Sequence, residues 1–210
     1  MNPRTRVKIC GITRIEDGLE AARLGVDALG FVFYPKSPRN IDTEAAQAIC
    51  QQLPGFVTTT ALFLNPEEKL VRKVLAEVSI DCLQFHGTES VEFCESFGKP
   101  YIKALGVEGA EDIGALFEQY ASARSVLLDS HATGAAGGTG KTFDWLSIPE
   151  KLRQKIILAG GLTPGNVADA IQQVRPYAVD LSSGVESAPG IKDSELMVRL
   201  MDEVKRADCN

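Results

Sequence analysis

The chain contains no uninterrupted apolar run of about 18 residues, which excludes a helical membrane span. It also lacks any C-x-x-C pair. Its five cysteines, at positions 10, 50, 82, 94 and 209, are odd in number and scattered, which speaks against a disulfide framework or a zinc site and for reduced thiols. Positive charge is in deficit: 22 Lys and Arg against 28 Asp and Glu leave a formal net charge of −6. No net positive field therefore exists to draw in a nucleic-acid backbone, although a small anion needs only a local set of donors. No G-x-G-x-x-G follows any candidate strand, which removes the dinucleotide fingerprint. A Pro- or Ser-rich linker is missing too, so one domain over residues 1–210 is expected. Met1–Arg6 lead into the first strand without an apolar signal core, and a cytoplasmic protein without membrane or nucleic-acid partners is the expectation.

What is present is ordinary in bulk and periodic in form. Hydrophobic residues make up 44% and charged residues 24% of the chain, as in a soluble globular protein. Short apolar runs predict strands at 7–10, 27–33, 57–64, 82–85, 101–105, 125–128, 156–159 and 178–181. Between them, helical spacing predicts helices at 15–24, 42–52, 65–78, 88–97, 110–120, 163–174 and 194–206, with a short one near 144–146. Thr13 and Asn65 read as caps of the first and third helices. The strands read as apolar on both faces, as in a parallel sheet covered by helices. Eight strands alternating with about eight helices, about 26 residues per unit, favour an α/β fold of the closed (β/α)8 TIM-barrel type over an open doubly wound sheet.

In such a barrel the chemistry sits just beyond the C-terminal ends of the strands. Those positions hold Cys10, Arg39, His86, Asp129, Gly160-Gly161 and Ser182-Ser183-Gly184. The two glycine-containing clusters follow strands seven and eight, where barrels commonly bind phosphate. Backbone N–H groups there can approach the anion, and a short helix from Ser183 would add its positive end. A run from Ala135 to Thr142 ends like a nucleotide P-loop, but Ala135 stands where the motif needs its first glycine. It reads better as part of a loop, 130–141, covering the mouth. A thiol at Cys10 and a carboxyl at Asp129 on opposite sides of a phosphate-anchored sugar form a base–acid pair. Cys10 would have to titrate below its usual value of about 8.5, and Lys8, on the same side of strand one, is the candidate to help. Arg39 could grip a carboxylate bidentately. Each residue also has a structural reading: a buried thiol for Cys10, a loop-organising carboxylate for Asp129, a hydrogen-bonded histidine for His86, and a surface arginine for Arg39.

Taken together, Val7–Thr13, Phe33–Arg39, Gln84–Gly87, Gly137–Asp144, Ala159–Pro164 and Asp180–Glu186 with Pro189–Asp193 resemble the phosphoribosylanthranilate isomerase family, in its order and along nearly the whole chain. The resemblance implies a cofactor-free isomerase of tryptophan biosynthesis, either monomer or homodimer. Such an enzyme converts N-(5-phosphoribosyl)anthranilate to an aminodeoxyribulose phosphate by an Amadori rearrangement. It implies Asp129 as general acid, Cys10 as general base and Arg39, His86 and Asp180 as substrate contacts. Phosphate would be held by Gly160, Gly161, Ser182, Ser183 and Gly184. Phe85 departs from the family's usual leucine, and His131-Ala132-Thr133 makes the sixth loop bulky. Two rivals are a histidine-pathway isomerase on the same barrel, expected to carry an aspartate where Cys10 stands, and a catalytically idle phosphate binder.

Overall fold

A computed structural model describes residues 4–108, 112–132 and 142–209. Eight strands form a closed parallel barrel: β1 (Arg6–Cys10), β2 (Ala28–Val32), β3 (Thr58–Phe63), β4 (Cys82–Phe85), β5 (Tyr101–Glu108), β6 (Ser125–Ala132), β7 (Ile156–Leu158) and β8 (Ala178–Leu181). Closure runs through β1 and β8, where Lys8 lies opposite Asp180 and Val7 opposite Val179. Eight α-helices accompany the strands among the described residues: α1 (Ile15–Arg23), α2 (Thr43–Cys50), α3 (Glu68–Glu77), α4 (Val91–Glu95), α5 (Ile113–Gln119), α6 (Glu150–Arg153), α7 (Val167–Val174) and, after β8, α8 (Ser194–Asp208). None of the described helices is long and apolar enough to cross a membrane.

Strand alternation separates two packed layers. Val7 and Ile9 point outward and are fully buried beneath the helices, while Lys8 and Cys10 point inward, as the period of two requires. Outside the barrel, α7 buries Val167, Ala170, Ile171 and Val174, and α8 buries Met197, Leu200, Met201 and Val204. Each large apolar side chain contributes about 1.5–3 kcal/mol by leaving water. Phe33, Phe63, Phe85 and Phe97 stack in succession at centroid spacings of 5.7, 6.1 and 5.9 Å, so Phe85 belongs to this outer layer.

Inside, the floor is apolar, built from Cys82, Ile102, Ala104, Leu127, Ile157 and Ala178. Above it the interior turns polar: Lys8, Thr60, Gln84, Asp129 and Asp180 are all buried. The expectation of strands apolar on both faces thus fails in the upper barrel, where charged groups replace core.

Three local expectations are also corrected. Thr13 does not cap α1: Arg14 stands at the cap position without a side-chain bond, and the Thr13 hydroxyl donates to the carbonyl of Gly190 at 2.5 Å. Asn65 does not cap α3, which begins after Glu67. Instead it adopts a left-handed backbone with φ 46°, which asparagine tolerates, and its side-chain oxygen accepts the N–H of Thr88 at 2.8 Å. Helix α4 starts only at Val91, capped by Ser90, whose hydroxyl accepts the N–H of Phe93. A hairpin absent from the sequence reading, β9 (Glu186–Ala188) with β10 (Ile191–Lys192), follows β8. The glycine-rich run at 133–141, with its P-loop-like ending, and the expected helix start at 110 lie outside the described residues.

Candidate active site

The C-terminal mouth of the barrel opens into a cleft. Cys10, Arg39, His86, Asp129, Gly160, Gly161, Asp180, Ser182 and Ser183 all line it. Nine residues spread over 174 positions of sequence meet there. Gly184 is not part of the lining. A Cβ at that position would lie 1.9 Å from the carbonyl oxygen of Leu162, so its missing side chain lets the loop after β8 press against the loop after β7. Gly160 serves both purposes: it lines the cleft, and its left-handed backbone, φ 86°, packs against Ser130.

Cys10 ends β1 beside two charged neighbours. The Lys8 ammonium donates to Asp180 Oδ2 at 2.8 Å, and both Lys8 Nζ and Cys10 Sγ crowd the space above Gly30. Burial pushes the Cys10 thiol above its ordinary value; Lys8 opposes this, Asp180 adds to it and Lys192 opposes it. The expectation of a thiol lowered toward neutrality is therefore corrected. Lys8 does favour the thiolate, as the sequence suggested, but desolvation outweighs it. Burial likewise raises the Asp180 carboxyl against the pull of Lys8. One oxygen of Asp180, Oδ1, is buried without a hydrogen-bond partner among the described residues, as is Ser182 Oγ. Buried polar atoms are rarely left unpaired, and both residues line the cleft.

Asp129 belongs to β6 itself, opposite Gly106 of β5, rather than standing past the strand's end. Its Oδ2 is 3.8 Å from His86 Nε2, and the Ser130 hydroxyl donates to its Oδ1 at 3.4 Å. Gln84 Nε2 lies 3.4 Å from His86 Nδ1; donation by that amide places the ring proton on Nε2, facing Asp129. His86 is thus held between two neighbours of the cleft.

Arg39 departs from the sequence expectation in one respect. Its guanidinium is already gripped by Glu186, with Nε to Oε1 at 2.9 Å and Nη2 to Oε2 at 2.7 Å. Sequence reasoning missed Glu186, which lies 147 residues from its partner. It also missed Lys192, whose Nζ donates to Glu186 Oε1, to the carbonyl of Cys10 and to that of Ser182. The one available signal was the short acid–Pro-Gly–base segment Glu186–Lys192 after the phosphate-type loop. A further gap was the apolar wall of the cleft: Val32, Pro38, Leu62 and Leu64, a surface suited to a flat ring.

Residues 7–203 match the family model described as N-(5'phosphoribosyl)anthranilate (PRA) isomerase. The chain belongs to the phosphoribosylanthranilate isomerase family. A curated relative in Pseudomonas putida (strain W619), named N-(5'-phosphoribosyl)anthranilate isomerase, is 54% identical over 202 residues, covering 96% of this chain and 98% of that protein. The solved phosphoribosylanthranilate isomerase of Thermotoga maritima is 41% identical with a TM-score of 0.86, covering 96% and 99% of the two chains; another structure of the Thermotoga enzyme concerns monomers generated from the dimeric protein. A further phosphoribosylanthranilate isomerase, 40% identical with a TM-score of 0.80 over 96% and 99% of the two chains, is solved with reduced 1-(o-carboxyphenylamino)-1-deoxyribulose 5-phosphate.

Proposed function

We propose that the barrel, acting as one unit over residues 1–210, isomerises N-(5'-phosphoribosyl)anthranilate for tryptophan biosynthesis, with Cys10 as general base and Asp129 as general acid. The reaction is an intramolecular aldose–ketose rearrangement. Asp129 protonates the ribose ring oxygen, and the ring opens to a Schiff base. Cys10 then removes the C2′ proton, and the resulting enolamine tautomerises to the ketone of 1-(2-carboxyphenylamino)-1-deoxyribulose 5-phosphate. His86 and Gln84 hold the Asp129 side of the cleft, and Lys8 stabilises the thiolate once it forms.

The observation that carries this reading is the convergence of Cys10 and Asp129 on one cleft that also holds both glycine-containing loops. Phosphate would lie against the backbone of Gly160, Gly161 and Ser183 and the Ser182 hydroxyl, with Gly184 keeping the two loops together. The anthranilate ring would pack on Val32, Leu62 and Leu64, its carboxylate on Arg39. Asp180, buried beside Cys10, is assigned to the substrate side of the same cluster. The working protein is a cytoplasmic monomer or homodimer whose partner is this small phosphorylated molecule.

Purified protein given the substrate should abolish the fluorescence of the anthranilate adduct. Unchanged fluorescence, with phosphorylated ligands still raising the melting temperature, would mark a binder rather than an enzyme.

A further inference from the structure

Arg39 of the cleft belongs to a buried three-residue network whose other two members, Glu186 and Lys192, the chemistry above does not use. Glu186 and Lys192 lie on the β9–β10 hairpin and Arg39 147 residues from Glu186, and in all three the charged side chain is largely shielded from water. The Glu186 carboxylate bridges the two cations: Oε1 accepts from Arg39 Nε and Lys192 Nζ, and Oε2 from Arg39 Nη2. Burial pushes this carboxyl up, but bonds from Arg39 and Lys192 hold it below the ordinary range. Lys192 makes three more hydrogen bonds, from its Nζ to the carbonyls of Cys10 and Ser182 and from its backbone N–H to Asp17 Oδ2 at 2.9 Å. The hairpin β9–β10 therefore acts as a strap from the phosphate-side loop to the end of β1 and across to Arg39.

We infer that Glu186 is a positioning residue that fixes the Arg39 guanidinium as a receptor for a planar carboxylate. This inference rests on the proposed binding of the anthranilate carboxylate by Arg39. A guanidinium has five N–H donors in a rigid plane, arranged as two bidentate edges. Glu186 occupies the Nε–Nη2 edge, which leaves the end-on Nη1–Nη2 edge of a residue that lines the cleft. An unanchored arginine would lose side-chain entropy on each binding event; one clamped in advance has already lost it. Charge points the same way. Two cations and one anion leave a single net positive charge, matched to one carboxylate. Glu186 thus builds selectivity for the carboxylated ring into the site.

The test measures binding of two ligands, the reduced carboxyphenylamino deoxyribulose phosphate and its carboxyl-free phenylamino counterpart, together with steady-state kinetics. In the native protein the carboxylated ligand should bind the tighter, and Arg39→Met should abolish that preference. Glu186→Gln should weaken the carboxylated ligand about 10- to 100-fold, the loss of hydrogen bonds to a charged group, and leave the carboxyl-free ligand within about threefold. KM should rise far more than kcat falls. Glu186→Asp, which keeps the charge, should recover part of the preference. Should Glu186→Gln not fold, Arg39→Lys gives the same reading, because an ammonium has no second edge and should lose the preference despite its charge. If Arg39→Met loses the preference while Glu186→Gln or Arg39→Lys retains it, Glu186 does not position Arg39. If Arg39→Met itself retains the preference, the carboxylate reading falls and the inference with it.

Discussion

Two buried lysine–carboxylate pairs, Lys8–Asp180 inside the barrel and Lys103–Glu89 on its outer wall, have the same 2.8 Å separation but different surroundings. Lys103 donates to Glu89 and to the carbonyls of Phe85 and Gly87, and Glu89 also accepts the N–H groups of Asn65 and Gly87. Every donor and acceptor of that pair is used, and the result is a rigid loop after β4, where His86 sits. Lys8–Asp180 leaves Asp180 Oδ1 without a partner among the described residues, and it lies against the Cys10 thiol. Complete bonding makes the outer pair structural. Incomplete bonding beside a nucleophilic atom makes the inner pair part of the site.

The largest effect that separates them should be on stability. Glu89→Leu or Lys103→Met leaves one charge buried and alone, and should cost about 3–5 kcal/mol in urea unfolding. Lys8→Met should cost less, because burial already favours the protonated Asp180 carboxyl, which can stay neutral once the lysine is gone. Equal losses in both pairs would erase the distinction.

A smaller effect should appear in reactivity. The Cys10 thiol is raised by burial and restrained by Lys8, so alkylation by iodoacetamide, read at the Cys10 peptide, should climb with pH through values above the ordinary thiol figure of about 8.5. Lys8→Met removes the stabilising cation and should move that rise to still higher pH. Lys103→Met, on the far side of the wall, should leave it in place. A downward shift in Lys8→Met would contradict the role given to Lys8.

Much of this was legible in the sequence, and the division follows separation along the chain. Apolar runs such as Val126-Leu127-Leu128 and Ile156-Ile157-Leu158 report burial directly, so all eight barrel strands and their order could be read. Residues that end strands could be placed in the mouth for the same reason. What could not be read were pairings across the fold: Lys8 with Asp180 over 172 positions, Arg39 with Glu186 over 147, and Thr13 with Gly190 over 177. Thr13 and Asn65 look like helix caps locally, but the closed barrel presents each with a distant partner instead. The β9–β10 hairpin was missed because strands of three and two residues carry too little pattern.

The smallest effect is the slope of stability in alkali. Burial raises the Cys82 thiol to about 11 and the Cys94 thiol to about 12. The unfolded chain ionises such thiols near 8.5, so between those values the native state holds more protons than the unfolded state. Stability is therefore full below about pH 8.5 and declines as pH rises toward 11–12. Cys94→Ala should flatten that decline in urea midpoints compared at neutral and alkaline pH; an unchanged slope would show that other groups dominate it.

The central claim is that Cys10 and Asp129 are the base and acid of one cleft, and turnover of Cys10→Ser and Asp129→Asn tests it most directly. Each variant should lose about 10²–10⁴ in kcat, as for removal of a positioned base or acid, while still binding the reduced product analogue. Near-native turnover in either variant, or loss of turnover caused only by loss of binding, would contradict it.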